Sequence, residues 1–88
     1  MSLTESYAIG PDEPPVRDIT IGEALAEAAA ESPDRLALIT GTADPAERRQ
    51  WTYTQLHQEA RMVARALSTR FQPGERVAVW APNSWQWV

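Results

Sequence analysis

Cysteine is absent from the 88 residues of this chain, which excludes disulfide bonds and thiolate metal sites. Basic residues are outnumbered as well, 8 against 12 acidic ones, for a net charge of −4. An acidic balance argues against nucleic acid or an anionic membrane as a partner. No apolar run approaches the ~20 residues of a membrane-spanning helix, and no signal-peptide pattern opens the chain. These absences favour a cytoplasmic protein, and the length of 88 residues accommodates one domain at most.

Residues that commonly carry chemistry are also scarce. His57 is the only histidine, and without a second histidine or a cysteine it is best interpreted as a solvated helix residue. The loop that starts at Gly41 lacks the second glycine and the lysine of a phosphate-binding loop. Asn83 and Ser84 could bind an anion at a predicted helix start, but ordinary capping explains the same residues and is the favoured interpretation. The residues themselves nominate no catalytic, cofactor-binding or metal-binding position.

Hydrophobic periodicity predicts two helices and three strands. The helices are expected at residues 20–32 and 54–70, and the strands near residues 36–40, 49–53 and 76–81. Thr20 and Glu23 fit a capping box for the first helix, and Thr54 is the predicted cap of the second. The first two strands should pair as an antiparallel hairpin, and the second helix should connect the last two strands in a right-handed βαβ unit. Arg48 and Arg49 are interpreted as a solvated pair in the hairpin.

The two ends of the chain differ from its middle. Residues 1–19 include the stretch GPDEPP, which supports neither helix nor strand, so an extended arm is predicted there. Asn83 and Gln86 fit a capping box at the other end. Only five residues follow Asn83, fewer than the ~12–15 of a marginal isolated helix. We therefore expect residues 20–88 to be a domain fragment that continues beyond Val88.

Three of the four tryptophans, Trp80, Trp85 and Trp87, lie close together near the end of the sequence. A surface that stacks bases or sugars is one interpretation, and packing against residues outside this sequence is the favoured one. Exposed tryptophans beside an unpaired strand also predict self-association of the isolated chain.

Five segments, in this order and spacing, resemble the N-terminal start of the adenylate-forming (AMP-binding) superfamily, which includes acyl-CoA synthetases, peptide-synthetase adenylation domains and luciferases. They are TIGEAL at residues 20–25, PDRLALI at 33–39, WTYTQL at 51–56, PGERVAV at 73–79 and APNSWQWV at 81–88. The residues from Thr52 to Leu56 match the first core motif of that superfamily. The resemblance covers roughly residues 20–88 and is greatest to fatty-acyl-CoA ligases.

This resemblance implies an α/β fold: a βαβ unit plus a hairpin and an N-terminal helix, an incomplete piece of the large N-terminal domain. It implies a parent enzyme that activates a fatty acid with Mg-ATP and transfers the acyl group to coenzyme A. A peptide-synthetase adenylation domain is the alternative within the family, and a stand-alone interaction module that uses its tryptophan-rich end is the alternative outside it. The family's phosphate loop, nucleotide contacts and catalytic lysine come after position 88, so no site residue carries over and the chain alone is expected to be inactive.

Overall fold

Two helices and a two-stranded sheet form the regular part of the chain in the computed structural model, which describes residues 4–88. Helix α1 is Ile21–Glu31, strand β1 is Leu36–Ile39, strand β2 is Gln50–Thr52 and helix α2 is Tyr53–Ser68. Short 3-10 turns occupy Pro45–Glu47 and Trp85–Trp87. Within residues 4–88, neither helix has the length and apolar character needed to cross a membrane. The presence of both helices and strands confirms the predicted α/β fold class.

Helix α1 begins where the sequence predicts. The Glu23 N–H donates to Thr20 Oγ1 at 3.1 Å, and the Glu23 carboxylate accepts from the Thr20 N–H at 2.9 Å. This reciprocal pair satisfies two backbone donors that the helix itself leaves free. The helix ends at Glu31, two residues before Pro33, because the residue preceding a proline is disfavoured in the helical conformation.

Helix α2 begins earlier than predicted, and the expectation that Thr54 caps it is wrong. Thr52 is the cap: its Oγ1 accepts from the Gln55 N–H at 3.2 Å, and Gln55 Oε1 accepts from the Thr52 N–H at 2.8 Å. A capping box needs Glu or Gln three residues after the Thr. Thr52 has Gln55 at that distance, whereas Thr54 has His57, so the local chemistry selects Thr52.

The predicted antiparallel hairpin is confirmed. Strand β1 pairs with β2 in a register that places Leu38 opposite Trp51 and Ile39 opposite Gln50, with a register shift between Leu36 and Leu38. Beyond the last ladder pair, the Thr40 N–H donates to the Arg49 carbonyl at 3.0 Å. The hairpin therefore holds β2, and with it the side chain of Trp51, against the start of α2.

The strand predicted at residues 76–81 is wrong for this structure. The sheet of the described chain contains β1 and β2 alone, and Val77, Val79 and Trp80 are 52%, 61% and 102% exposed. An apolar run without alternation is typical of a strand with neighbours on both faces, but this segment is largely exposed and does not pair with either free edge of the β1–β2 sheet. The segment therefore finds no ladder, and the βαβ unit is not completed within residues 4–88.

The helix predicted after Asn83 is only a 3-10 turn, Trp85–Trp87, preceded by Ser84 without a side-chain cap bond. Three residues are too few to sustain α-helical hydrogen bonds. At the other end, residues 4–19 contain no helix or strand, and residues 1–3 of the predicted arm lie outside the described part. Arg17 pairs with Glu27 of α1, and this hydrogen-bonded carboxylate raises the pKa of the Arg17 guanidinium.

Burial is confined to one side chain among the described residues, Trp51, which is 4% exposed. The radius of gyration is 18.7 Å, whereas a compact chain of this length would have about 12 Å. The accessible surface is 8481 Å², whereas a compact monomer of this mass would expose about 5,200 Å². The fold is therefore an open scaffold, and Trp51 marks the point where its elements meet.

Candidate functional site

Trp51 lies where the hairpin, helix α2 and the C-terminal turn converge. Its indole N–H donates to Glu59 Oε2 on α2 at 3.1 Å, which gives the buried ring the hydrogen-bond partner that its polar edge needs. The ring of Trp85 lies against it, with centroids 5.1 Å apart and planes tilted by 32°. Trp51 lies on strand β2, Glu59 on helix α2 and Trp85 on the C-terminal turn. The two contacts of Trp51 therefore join three separate elements.

Arg49 completes this group, which we call the Trp51 cluster: Arg49, Trp51, Glu59 and Trp85. Its guanidinium carbon lies 5.0 Å from the Trp51 ring centroid and 4.3 Å from that of Trp85, both within the ~6 Å range of cation–π attraction. A planar guanidinium stacks on aromatic faces in a way that an ammonium group does not. The cluster is thus a cation held against two aromatic rings.

Both arginines are exposed, as the interpretation of a solvated pair expected, but the contact of the Arg49 guanidinium with two rings was not predicted. Arg48 behaves as expected of the loop, with its Nε donating to the Thr42 carbonyl at 2.8 Å. Arg49 instead shares the face of the hairpin that carries Trp51. Residues two apart on a strand lie on the same face, so the spacing of Arg49 and Trp51 was a usable signal. The contact of Trp85 with Trp51 had no such signal in the sequence, because Trp85 lies 34 positions further along the chain.

Two open cavities flank the C-terminal turn. One, of about 580 Å³, lies between α1, α2 and the turn, and its walls are mostly apolar. The other, of about 510 Å³, lies at the end of β1 beside residues 40–42 and includes Asn83 and Ser84. Trp85 and Val88 line both cavities. Neither cavity brings together an acid, a base and a nucleophile among the described residues that line it.

The other positions considered in the sequence are dispersed. His57 lies half-buried on α2, and no group of three or more His, Cys, Asp or Glu side chains in residues 4–88 is arranged to hold a metal ion. Asp44 caps the 3-10 turn of the hairpin loop by accepting from the Ala46 N–H at 2.9 Å. Of the C-terminal tryptophans, Trp85 packs on Trp51, whereas Trp80 is fully exposed. That the chain lacks catalytic residues stays a prediction.

A comparison with protein families places this scaffold. The model of the AMP-binding enzyme family matches residues 25–88, a range that runs from the middle of α1 to the C-terminal turn and contains the whole Trp51 cluster. The chain belongs to the AMP-binding enzyme family. The resemblance that the five sequence segments carry is thereby confirmed, and the open α/β scaffold is part of an AMP-binding domain.

Two similar AMP-binding proteins carry the same name, 3-[(3aS,4S,7aS)-7a-methyl-1,5-dioxo-octahydro-1H-inden-4-yl]propanoyl:CoA ligase. The protein from Rhodococcus jostii (strain RHA1) is 53% identical over 38 residues, which are 42% of this chain and 7% of the relative. The protein from Mycobacterium tuberculosis (strain ATCC 25618 / H37Rv) is 39% identical over 70 residues, which are 78% of this chain and 13% of the relative. The chain therefore spans a small part of the length of these relatives. No solved structure shows significant similarity to it.

Proposed function

We propose that this chain is the N-terminal scaffold of a carboxylic acid:CoA ligase. The observation that carries the proposal is the family match over residues 25–88, since the similar proteins within that family are CoA ligases. The complete enzyme would join an acid to AMP with release of pyrophosphate from Mg-ATP, and then transfer the acyl group to the thiol of coenzyme A with release of AMP. Residues 20–88 would belong to its large N-terminal domain, with residues 1–19 as an arm, and the enzyme would be cytoplasmic.

The contribution of the chain itself is structural in this proposal. Glu59 is the one carboxylate drawn into the Trp51 cluster, and it already accepts the hydrogen bond of the Trp51 indole. Gly41–Thr42 lie in a hairpin loop in which the Thr42 carbonyl accepts a hydrogen bond from the Arg48 side chain. ATP, magnesium and coenzyme A would therefore be bound by residues that follow in the complete enzyme, and the isolated chain would be inactive.

The sequence resemblance and the relatives favour different carboxylic acids as the substrate. The resemblance to fatty-acyl-CoA ligases favours a fatty acid. The names of both relatives specify a propanoyl group on a methylated, dioxygenated bicyclic ring, which favours a bulky alicyclic propanoate. We propose the alicyclic acid as the preferred substrate and a fatty acid as the second candidate. A peptide-synthetase adenylation domain, which would activate an amino acid, has no support from the relatives.

The complete open reading frame that encodes these residues, expressed and purified, tests the proposal. Pyrophosphate release from Mg-ATP is measured with a bicyclic propanoate, with octanoate and palmitate, and with a mixture of amino acids, and thioester formation is then followed by the loss of free CoA thiol. We expect acid-dependent pyrophosphate release and a thioester, fastest with the bicyclic propanoate. Faster turnover of the fatty acids would select the second candidate. Release with amino acids and no thioester, or a reading frame that ends at Val88, would contradict the ligase.

A further inference from the structure

The turn Trp85–Trp87 separates the two open cavities, and little within the turn fixes its position. It is three residues long and has no side-chain cap. The Trp87 indole N–H donates to the Ala81 carbonyl at 3.0 Å, a local bond that does not reach the hairpin or the helices. The contacts that Trp85 makes with the Trp51 cluster are therefore the ring contacts that tie the turn to the hairpin.

We propose that the Trp51 cluster is a latch, in which Arg49 holds Trp85 against Trp51 and so keeps the turn in place as the wall between the two cavities. The latch closes when the Trp85 ring covers Trp51 and the Arg49 guanidinium lies against both rings. It opens when Trp85 leaves and the turn moves with it, and because Trp85 and Val88 both line the two cavities, this movement joins the apolar groove between the helices to the space at the end of β1. The inference rests on the fold and is independent of the proposed reaction.

The geometry assigns different roles to the members of the latch. Trp51 is the fixed platform, since it is nearly fully buried and hydrogen-bonded to Glu59. Trp85 is the mobile member, because it is only half-buried and lies on the short turn. Arg49 is a positioning residue: its guanidinium is closer to Trp85, at 4.3 Å, than to Trp51, at 5.0 Å. Substitution of Arg49 should therefore release Trp85 from Trp51, while the hydrogen bond between Trp51 and Glu59 of α2 remains.

Solution NMR of the unmodified 88-residue chain gives the first test. Protons that lie over an aromatic ring shift upfield, so the Arg49 δ-methylene protons should be shifted upfield from those of Arg48, and the rings of Trp51 and Trp85 should show a nuclear Overhauser effect. Arg49 protons at the same shift as those of Arg48, or absence of the contact between the rings, would overturn the latch without any variant.

A matched pair of variants gives the second test. Arg49→Ala should weaken the Trp51–Trp85 ring contact about two- to fivefold relative to the contacts between α1 and α2, Arg49→Lys should weaken it less, and Arg48→Ala should leave it unchanged. An unchanged ring contact in Arg49→Ala would overturn the role of Arg49, and so would an equal loss in Arg48→Ala. If Arg49→Ala also loses the contacts between α1 and α2, the upfield shift in the unmodified chain decides the question.

Discussion

At the scale of single residues, stability is concentrated in Trp51. Its burial, its hydrogen bond to Glu59 and its contact with Trp85 all involve one side chain. The large apolar residues of the helix faces remain exposed by comparison, as Val63 at 57% and Leu67 at 43% show. Because so little else is buried, substitution of Trp51 should destabilise the whole fold rather than a local part of it.

Trp51→Ala should abolish cooperative unfolding of the chain. Removing a large buried aromatic ring costs about 3–5 kcal/mol, which approaches the ~5 kcal/mol total stability at the low end for small domains. Trp51→Phe should be milder, since it keeps most of the packing and loses mainly a hydrogen bond worth about 1 kcal/mol. Urea denaturation followed by circular dichroism measures both.

Trp80→Ala is the matched control for these substitutions, because Trp80 is fully exposed and substitutions at such sites change stability by no more than about 0.5 kcal/mol. Equal losses in Trp51→Ala and Trp80→Ala would contradict the assignment of the core to Trp51.

At the scale of elements, what the sequence predicted well was local. The α1 capping box and the hairpin depend on residues close in sequence, and both formed as expected. The cap of α2 was misplaced by two residues, although the Thr52–Gln55 pair was visible. The strand at residues 76–81 could not be decided locally, because a strand exists only when another strand pairs with it. The contact of Trp85 with Trp51 was hidden for the same reason.

Thr52→Ala should shorten or fray helix α2. It removes the hydroxyl that accepts from the Gln55 N–H, a loss worth about 1 kcal/mol at a helix N-cap. We expect lower helix content by far-ultraviolet circular dichroism and faster amide exchange at Gln55. Thr54→Ala provides the control, since Thr54 lies inside the helix and alanine is the better helix former. Greater loss of helix in Thr54→Ala than in Thr52→Ala would restore the cap that the sequence first suggested.

At the scale of the whole molecule, the family was more predictable than the shape. Five short segments in a fixed order sufficed for the family, because together they resemble its N-terminal start, as the family match over residues 25–88 confirms. The open surface was not apparent from composition, since its 43% hydrophobic residues are ordinary for a globular protein. Exposed Val77, Val79 and Trp80 make self-association through Trp80, Trp85 and Trp87 a prediction that still stands, although Trp85 is partly used within the chain.

The central claim is that this chain is a scaffold of an AMP-binding enzyme that carries no nucleotide site of its own. Isothermal titration of Mg-ATP into the 88-residue chain tests it most directly, with the complete protein as the positive control. We predict no saturable heat for the chain at nucleotide concentrations up to ~1 mM, a limit that corresponds to a binding free energy weaker than about −4 kcal/mol. Saturable one-to-one binding to the chain in the micromolar range would contradict the claim, because it would require a nucleotide site among these residues.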